Sequence, residues 1–274
     1  MADLPQTSDI RLDQRGPVLH LWLNRPERRN ALSSQMVREI AATFAAIAAD
    51  RSVRIVILRG AGGSFCAGGD IQNMSLAQPS PPPNAPDDLR DDNRRFGALL
   101  ETINAAPQVV IAAVEGYAMG GGFGLACVVD ITIATVDARF ALSEATIGVV
   151  AAAVSPFVVQ RVGLPAARRL GVTAARLDAT EALTIGLADR VVRDGAALDA
   201  AVRETCNQVL KCAPGAIAVT KRLMLRAAAD SNVISQILDD AASSFAASVR
   251  GAEGKEGTAA FVAKRKPSWA TQVE

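Results

Sequence analysis

The amino-acid sequence predicts an α/β fold in which strands and helices alternate over the first two thirds of the chain and helices fill the last third. Half of the 274 residues are hydrophobic and 21% are charged, which is the composition of a globular protein. Short apolar runs of strand length alternate with segments of helical periodicity up to about residue 195, and the pattern beyond is almost entirely helical. We therefore expect an α/β core at residues 1–195 and a helical region at residues 196–274.

Each predicted element is bounded by residues that start or stop regular structure. The first strand, residues 18–23, ends at Asn24-Arg25-Pro26, and Ser33 or Ser34 then caps an amphipathic helix to about residue 49. Residues 54–59 form a buried type of strand, and residues 64–74 form a turn and a short helix. Residues 78–92 hold five prolines, so we expect a mobile surface loop there. Later strands are predicted at residues 109–114, 131–134, 139–142 and 190–192. Later helices are predicted at residues 93–104, about 121–129, 155–170, 179–186 and 196–264. The helix at 155–170 is expected to break near Gly163, and the one at 196–264 is expected to break at Pro214 and at 251–254.

Charge, cysteine and histidine counts exclude several classes of function. A net charge of +1 gives no bulk attraction to nucleic acid or membrane surfaces, so neither is expected as a partner. No apolar stretch is long and charge-free enough for a transmembrane helix, and residues 1–10 lack an apolar signal segment. Cys66, Cys127, Cys206 and Cys212 show no CxxC spacing, and the single histidine, His20, cannot assemble a zinc set and makes a Ser-His-Asp triad a poor candidate. We expect buried free thiols, a cytoplasmic location, a structural His20, and no metal or redox cofactor.

Two glycine-rich turns follow apolar strands and are the first candidates for a functional site. Residues 64–70 read Ser-Phe-Cys-Ala-Gly-Gly-Asp, and residues 120–124 read Gly-Gly-Gly-Phe-Gly. Neither is a dinucleotide fingerprint or a P-loop. Small residues let backbone N–H groups approach a ligand, and a helix that begins at such a turn adds partial positive charge. Two such turns facing each other are able to hold one oxyanion, although each taken singly is more often only a tight turn.

Five motifs, in order along nearly the whole chain, resemble those of the crotonase (enoyl-CoA hydratase/isomerase) family. Residues 65–71 (FCAGGDI) are similar to its F-C-A-G-x-D-I/L motif, and residues 116–122 (GYAMGGG) to its G-x-A-x-G-G-G motif. The other three are N-R-P…N-A-L at residues 24–32, A-x-E-A-x-x-x-G-L-V/A-D at residues 179–189, and F-x-x-K-R at residues 261–265. The resemblance implies a crotonase-like spiral of ββα units with a helical C-terminal trimerisation region. It also implies an acyl-CoA substrate and a homotrimer or a dimer of trimers.

The same resemblance implies roles for individual residues. It places the two oxyanion donors at the backbone N–H groups of Ala67 and Gly121, where they would polarise a thioester carbonyl. The implied CoA-binding residues lie towards the two ends of the chain and are Arg25, Arg29, Ala31, Lys264 and Lys266. The two lysines would reach a CoA phosphate of this or a neighbouring subunit, although a basic tail taken alone is more typical of a solvated chain end. The implied substrate-binding set is completed by Gly68, Gly69, Asp70, Ile71, Gly120 and Gly124. Coenzyme A enters as part of the substrate, and no other cofactor is expected.

Only one of the two glutamates typical of the family's two-base hydratases is present. The first position is Gly124, and the second matches Glu144 in the run Ser-Glu-Ala-Thr-Ile-Gly. In the family, the residue at the Glu144 position exchanges the proton at the α-carbon, and the missing glutamate helps to hold and activate water. A single carboxylate is able to shuttle both protons if water lies between it and Cβ, and an apolar pocket would raise its pKa. Without the resemblance, Glu144 would be typical of a helix-capping or surface carboxylate.

Residues 149–157 depart from the usual family pattern and indicate the substrate. The run Val-Val-Ala-Ala-Ala-Val-Ser-Pro-Phe resembles the subgroup that hydrates 3-methylglutaconyl-CoA and 3-isohexenylglutaconyl-CoA, in leucine and acyclic-terpene degradation. A glycine at Gly124 removes a like charge and is expected to open space for an anionic, branched acyl group. Arg94, Arg95 and Arg161 are candidate partners for the substrate's own carboxylate, although each is also typical of a solvated or structural arginine.

Three functions therefore stay open. The first is an enoyl-CoA hydratase acting on a branched glutaconyl-CoA through the oxyanion hole and Glu144. The second is an enoyl-CoA isomerase, or a generic hydratase of fatty-acid oxidation, because one carboxylate also suffices to move a proton between carbons. The third is a non-catalytic acyl-CoA-binding member, for which near-neutral charge argues against an RNA-binding role.

Overall fold

The computed structural model describes residues 3–70, 87–229 and 251–272. Its strands are β1 (Ile10–Arg15), β2 (Val18–Leu23), β3 (Ile55–Gly60), β4 (Val109–Val114), β5 (Tyr117–Met119), β6 (Ile131–Thr135), β7 (Arg139–Ala141), β8 (Leu177–Asp178) and β9 (Arg190–Val192). Its helices are α1 (Ser34–Ile47), α2 (Asp88–Asn104), α3 (Gly121–Val128), α4 (Ser155–Thr173), α5 (Ala179–Thr184), α6 (Gly195–Val209), α7 (Pro214–Ala229) and α8 (Ala252–Val262). In the part of the chain so described, no helix combines the length and apolar character needed to cross a bilayer.

Six strands form the main sheet, in the order β1-β2-β3-β4-β6-β9. β1 and β2 pair antiparallel with Ile10 opposite Leu23, and every later neighbour is parallel. β3 and β4 are buried at almost every position, which is why they read as continuous apolar runs in the sequence. β1 is absent from the sequence-based expectations because it lies at the sheet edge and its run IRLDQR is mostly polar and only partly buried.

A second, three-stranded sheet has the order β5-β7-β8, with β5 parallel to β7 and β8 antiparallel to β7. Two isolated bridges link the turn after β3 to its surroundings. Cys66 pairs with Ala118 of β5, and Gly69 pairs with Leu32. The first glycine-rich turn is therefore built into the sheet system as extended backbone.

The main sheet has a hydrophobic core on each face. One core packs the helices from α1 through α5 against the sheet and contains buried residues such as Leu21, Leu58 and Phe123. The other joins Ile57, Ile111 and neighbouring strand residues to α6, through Leu198 and Cys206 among others. The predicted division at residue 195 coincides with the start of α6, yet α6 covers the sheet's second face.

Local signals place several helix boundaries. The Ser33 hydroxyl accepts the Met36 N–H at 2.9 Å, so Ser33 is the cap of α1, and residues such as Ile40 and Phe44 are buried at helical spacing along it. The predicted break in α4 is confirmed, because Gly163 has a φ of 74° two residues before Pro165.

The predicted loop at residues 78–92 is wrong at its carboxyl end. Helix α2 begins at Asp88, and the Asp87 carboxylate accepts the Arg90 N–H at 3.2 Å as its cap. Acidic side chains at the first turn are favourable there because they face the positive end of the helix dipole. Residues 71–86, which include Ile71 and the rest of the predicted loop, lie outside the described residues, as do residues 230–250. The short helix predicted within 64–74 does not begin before residue 71.

Candidate active site

A cavity of about 400 Å³ opens where the chain leaves the carboxyl ends of β3 and β4. Open α/β sheets hold ligands outside the carboxyl ends of their parallel strands, and small-molecule sites occupy ~300–1,000 Å³. Part of the wall is backbone and polar, from residues 67–70, Gly120-Gly121, Ser143 and Glu144. Much of the rest is apolar and comes from Leu32, Val37, Leu89, Phe96, Ile147 and residues 149–154.

The first glycine-rich turn is held in place by backbone hydrogen bonds to β5 and the residues before it. Phe65 N–H donates to the Glu115 carbonyl at 2.8 Å, and Cys66 N–H donates to the Tyr117 carbonyl at 2.7 Å. Met119 N–H returns a bond to the Cys66 carbonyl at 2.9 Å. Because the backbone of this turn is paired on both sides of Cys66, its remaining N–H groups have defined directions.

Asn30 is a fully buried side chain that ties the preceding loop to this turn. Its amide oxygen accepts the Arg25 N–H at 2.9 Å, and its amide nitrogen donates to the carbonyls of Ala61 at 2.8 Å and Ser64 at 2.6 Å. Asn30 adopts a left-handed φ of 57°, which asparagine tolerates better than most residues. Its role as an organiser of the site was signalled in the sequence only by its place in the N-A-L motif.

The structure overturns the predicted role of Ala67. The Ala67 N–H donates to the carbonyl of Arg29 at 2.9 Å, so it is already bound and cannot polarise a substrate carbonyl. The prediction that Ala67 supplies an oxyanion donor is therefore wrong, although the residue does line the cavity.

The available donor lies two residues further along, at Gly69. Leu32 bonds the residues on either side of it, because Leu32 N–H donates to the Gly68 carbonyl at 2.8 Å and Asp70 N–H donates to the Leu32 carbonyl at 3.0 Å. Successive N–H groups of a strand point to opposite sides, so the Gly69 N–H points away from Leu32. Within the described residues no acceptor binds it, and Gly69 lines the cavity.

Gly121 begins helix α3, so its N–H has no partner inside the helix. Gly120 turns the chain into the helix with a φ of 50°, and its own N–H donates to the Ala141 carbonyl at 2.8 Å. The first turn of α3 packs directly on Cys66, since a Cβ added to Gly122 would lie 2.7 Å from the Cys66 Cβ. The positive end of α3 therefore meets the first glycine-rich turn at the cavity wall.

Glu144 enters the cavity from the 3-10 turn that follows β7. Its carboxyl group lies beside the start of α3, because a Cβ placed on Gly120 would be 3.1 Å from the Glu144 Oε1. The other oxygen, Oε2, is buried and accepts no hydrogen bond from the described residues. Burial raises the pKa of this carboxyl group above its ordinary value. Such a carboxyl, half-buried in a cavity with one oxygen unpartnered, is suited to proton transfer.

The structure also overturns the predicted role of Gly124. We expected the missing side chain to open space for substrate, but Val154 fills that space. A Cβ added to Gly124 would lie 2.3 Å from the Val154 Cγ1 and 3.1 Å from its Cβ. Gly124 is buried behind Val154, and it is Val154 that lines the cavity. No sequence signal links the two positions, because their contact depends on how residues 149–154 fold back over α3.

The residues near the amino end of the chain that are predicted to bind CoA differ in their surroundings. Arg25 is folded inward, where it donates to the Ala31 carbonyl at 2.8 Å and pairs with Asp70 at 2.8 Å, so it is a structural arginine. Its guanidinium and the Ala31 carbonyl are hydrogen-bonded to each other, and the assignment of both residues to CoA stays a prediction. Arg29 is exposed, with its guanidinium 5.7 Å from the centre of the Tyr117 ring, and its contact with CoA stays a prediction.

The basic tail is anchored at the other end of the main sheet. Arg54, next to the amino end of β3, donates to the Trp269 carbonyl at 2.8 Å, and the Trp269 indole donates to the Lys211 carbonyl at 3.2 Å. Lys264 and Lys266 are exposed and do not line the cavity of their own chain. Their predicted contact with a CoA phosphate, of this or a neighbouring subunit, stays a prediction.

Of the three arginines considered for a substrate carboxylate, Arg95 lines the cavity. Arg94 pairs with Glu101 at 3.4 Å along α2. Arg161 is engaged with Asp189 at 2.6 Å and with the Leu187 carbonyl at 3.1 Å, away from the cavity wall.

Other reactive side chains do not join the site. His20 lies in β2 opposite Asp13, where burial lowers its pKa, as expected for a structural histidine. Burial raises the pKa of the Cys66 thiol to about 12, so it is not a thiolate nucleophile at neutral pH. The expectation of buried thiols holds for Cys66, Cys127 and Cys206, but Cys212 is exposed. No group of three or more metal-ligating side chains occurs among the described residues.

Comparisons with known proteins agree with this arrangement. A family model described as enoyl-CoA hydratase/isomerase matches residues 13–272. The structure of Pseudomonas aeruginosa AtuE is 50% identical with a TM-score of 0.91, covering 96% of this chain and 100% of that one. An enoyl-CoA hydratase/isomerase from Marinobacter aquaeolei is 45% identical, also with a TM-score of 0.91, covering 96% and 99%. Among curated relatives, the carnitinyl-CoA dehydratase of Proteus mirabilis is 32% identical over 268 residues, 96% of this chain and 98% of its own.

Proposed function

Since the chain belongs to the enoyl-CoA hydratase/isomerase family, whose crotonase-like fold it shares and whose relatives include hydro-lyases acting on acyl-CoA, we propose that it hydrates a branched 3-substituted glutaconyl-CoA. The observation on which the proposal rests is the position of Glu144. A buried carboxyl oxygen that has no hydrogen-bond partner among the described residues lies beside the N-terminus of α3, in a cavity whose wall is otherwise largely apolar.

The backbone N–H groups of Gly69 and Gly121 form the oxyanion hole in this proposal. Both residues line the cavity, and neither N–H is engaged by the hydrogen bonds that hold the two turns together. Each donor of this kind contributes ~10²–10³ in rate when charge develops on the oxygen it binds. Because backbone amides do not titrate, the hole keeps its polarity across the physiological pH range.

A single carboxylate completes the chemistry. Ionised Glu144 accepts a proton from water as the water oxygen bonds to Cβ, and the electrons of the double bond move through the carbonyl carbon to the thioester oxygen. The resulting enolate oxygen accepts hydrogen bonds from the backbone N–H groups of Gly69 and Gly121. When the enolate collapses, Cα takes the proton from Glu144, which regenerates the carboxylate. One water is added and no other reactant is consumed.

The form of the cavity supports a branched acyl group. Ile147, Val149 and Val150 are exposed apolar residues on its wall, and Val154 stands where the two-base pattern would place a carboxylate. Exposed apolar side chains around a cavity mark a surface that an apolar ligand covers. An isohexenyl or methyl branch would fit such a wall, in acyclic-terpene or leucine degradation respectively.

A second candidate is an enoyl-CoA isomerase, which the lone Glu144 also favours, because isomerisation requires one group that removes a proton from one carbon and returns it to another. A generic hydratase of fatty-acid oxidation would use the same groups on an unbranched substrate. A non-catalytic acyl-CoA-binding role requires neither the buried carboxyl nor its raised pKa.

One assay distinguishes these functions. Purified protein is mixed separately with 3-methylglutaconyl-CoA, 3-isohexenylglutaconyl-CoA, crotonyl-CoA and a 3-enoyl-CoA, and the absorbance of the conjugated thioester is followed. Loss of absorbance fastest with a glutaconyl substrate is the expected result. Equal or faster loss with crotonyl-CoA would favour the generic hydratase, a gain of absorbance with the 3-enoyl-CoA alone would favour the isomerase, and no change with any substrate would contradict both enzymes.

Two further properties belong to the proposal. Coenzyme A arrives with the substrate and no separate cofactor is required, so prior dialysis against EDTA should leave turnover unchanged. The active species is a homotrimer or a dimer of trimers, which light scattering coupled to size-exclusion chromatography would measure. A monomeric mass would contradict that assembly.

A further inference from the structure

One basic side chain stands in the wall of the cavity. Among the described lining residues, Arg95 is the only lysine or arginine, and it lies on α2, the helix that also supplies Phe96 and Leu89 to the apolar wall. The proposed hydration steps assign no role to this cation.

Arg95 pairs with Asp92 on the same helix, and Asp92 is in turn held by Ser34 of α1. Its Nη1 contacts one oxygen of Asp92, and the other oxygen of Asp92 accepts the Ser34 hydroxyl at 2.7 Å. The contact with Asp92 uses one of the five N–H donors of the guanidinium, and the side chain is 53% exposed. Donors are therefore left for a second carboxylate, which a planar guanidinium binds in a two-bond geometry.

Arg95 also lies within reach of the reacting end of the cavity. Its chain neighbour Phe96 packs against the start of α3, because a Cβ added to Gly121 would lie 3.2 Å from the Phe96 Cζ. Arg95 lines the same cavity as Gly69 and Gly121, the two residues of the proposed oxyanion hole. A dicarboxylic acyl-CoA carries a thioester for the oxyanion hole and a second carboxylate for a cation in the same cavity.

We propose that Arg95, positioned by Asp92 and Ser34, binds the free carboxylate of a dicarboxylic acyl-CoA and so selects it over neutral acyl-CoAs. This inference rests on the proposed function for the identity of the substrate. The neighbouring residue supplies a matched control, since Arg94 is equally basic and 66% exposed, pairs with Glu101, and does not line the cavity.

The test uses binding as well as turnover. Calorimetry compares glutaryl-CoA, a saturated dicarboxylic thioester that cannot be hydrated, with butyryl-CoA, its neutral counterpart, on the wild type, Arg95→Gln and Arg94→Gln. We expect Arg95→Gln to weaken glutaryl-CoA binding about 10-fold or more, as for a lost hydrogen bond to a charged group, and to leave butyryl-CoA unchanged. Arg94→Gln should leave both within about 2-fold, as for an exposed ion pair. Thermal melting checks that both variants are folded.

Turnover gives the second readout. The ratio of kcat/KM for 3-methylglutaconyl-CoA to that for its ω-methyl ester should fall about 10-fold or more in Arg95→Gln only. Equal effects of the two arginine variants, or equal losses for acid and ester, would overturn the inference. A wild type that hydrates nothing while still preferring glutaryl-CoA through Arg95 would refute the proposed function and leave the carboxylate site in place. A wild type that hydrates 3-methylglutaconyl-CoA fastest, while Arg95→Gln binds glutaryl-CoA as tightly as the wild type does, would overturn the inference and leave the proposed function in place.

Discussion

Gly124 and Val154 make the contact that most directly separates this cavity from one with two carboxylates, and a double-mutant cycle tests it. In the native chain the Val154 Cγ1 lies 2.3 Å from where a Cβ at Gly124 would be. Carbon atoms approach without repulsion only to ~3.5–4.0 Å, so Gly124→Ala forces Val154 or the backbone to move. The substitution examined is Gly124→Ala, alone and together with Val154→Ala.

The magnitudes follow from the contact. Overpacking a buried position costs about 1–3 kcal/mol, and replacing glycine by alanine inside a helix returns about 0.5–1 kcal/mol, so Gly124→Ala should lower the unfolding free energy by roughly 1–2 kcal/mol. Val154→Ala removes two buried methyl groups at about 0.8 kcal/mol each, with a cavity term in addition, for a loss of roughly 2 kcal/mol. In the double variant the alanine methyl at 124 occupies space that Val154 vacated. We therefore expect the double loss to be about 1–2 kcal/mol smaller than the sum of the two single losses.

Urea unfolding, followed by far-UV circular dichroism at one protein concentration, measures all four chains. The m-values should agree, since the folded state stays compact. If Gly124→Ala is as stable as the wild type or more stable, Val154 does not fill the space beside Gly124. Strict additivity of the two single changes would contradict the contact equally, whatever their separate sizes.

Three other predictions concern the catalytic carboxyl group and the loop beside it. Glu144→Gln should lower kcat by ~10²–10⁴ while leaving the calorimetric affinity for a saturated acyl-CoA unchanged, and a variant with substantial activity would exclude Glu144 as the proton-transfer group. Because burial raises the pKa of Glu144 and hydration requires its ionised form, the acid limb of the kcat/KM profile should lie above the ordinary glutamate pKa of about 4.3. Ionising this buried group also costs stability in the folded chain, so Glu144→Gln should raise the unfolding free energy at pH 7 by an amount that shrinks as the pH falls towards 4. A difference in unfolding free energy that stays constant with pH would contradict the raised pKa. Asn30→Ala should lower the unfolding free energy by about 3 kcal/mol, because it leaves the Ala61 and Ser64 carbonyls and the Arg25 N–H without their buried partner. A loss under about 1 kcal/mol in urea unfolding would show that water replaces those hydrogen bonds.

Strands and helices whose signals are local could be predicted from the sequence. The predicted bounds of β2, β4 and β9 agree with the structure, because each is a short apolar run between residues that end a strand. Helix boundaries are hard to predict where the capping residue lies within a polar run. Asp87 is such a residue, because its carboxylate caps α2 inside the predicted loop. Edge strand β1 is missed for the same kind of reason, since partial exposure removes the apolar pattern.

The positions of the two glycine-rich turns and of Glu144 in one cavity also follow from sequence, through the motifs that carry them. Which N–H of the first turn is free does not follow. Ala67 and Gly69 are chemically equivalent as backbone donors, and the hydrogen bond from Ala67 to Arg29 decides between them. That bond depends on the pairing of this turn with the segment held by Asn30, so it is a property of the tertiary structure.

The sequence by itself determined the order of the elements, the family motifs and the reduction of two carboxylates to Glu144, because composition and spacing are properties of the chain. Only the tertiary structure decided what the missing carboxylate leaves behind. Val154, thirty residues beyond Gly124, occupies the space that we expected substrate to fill. It likewise decided that Arg95 rather than Arg94 faces the cavity, since adjacent residues of a helix point in different directions and only packing of α2 fixes which one is inside. Contacts between residues distant in sequence are chosen by how the elements pack, and no local pattern encodes them.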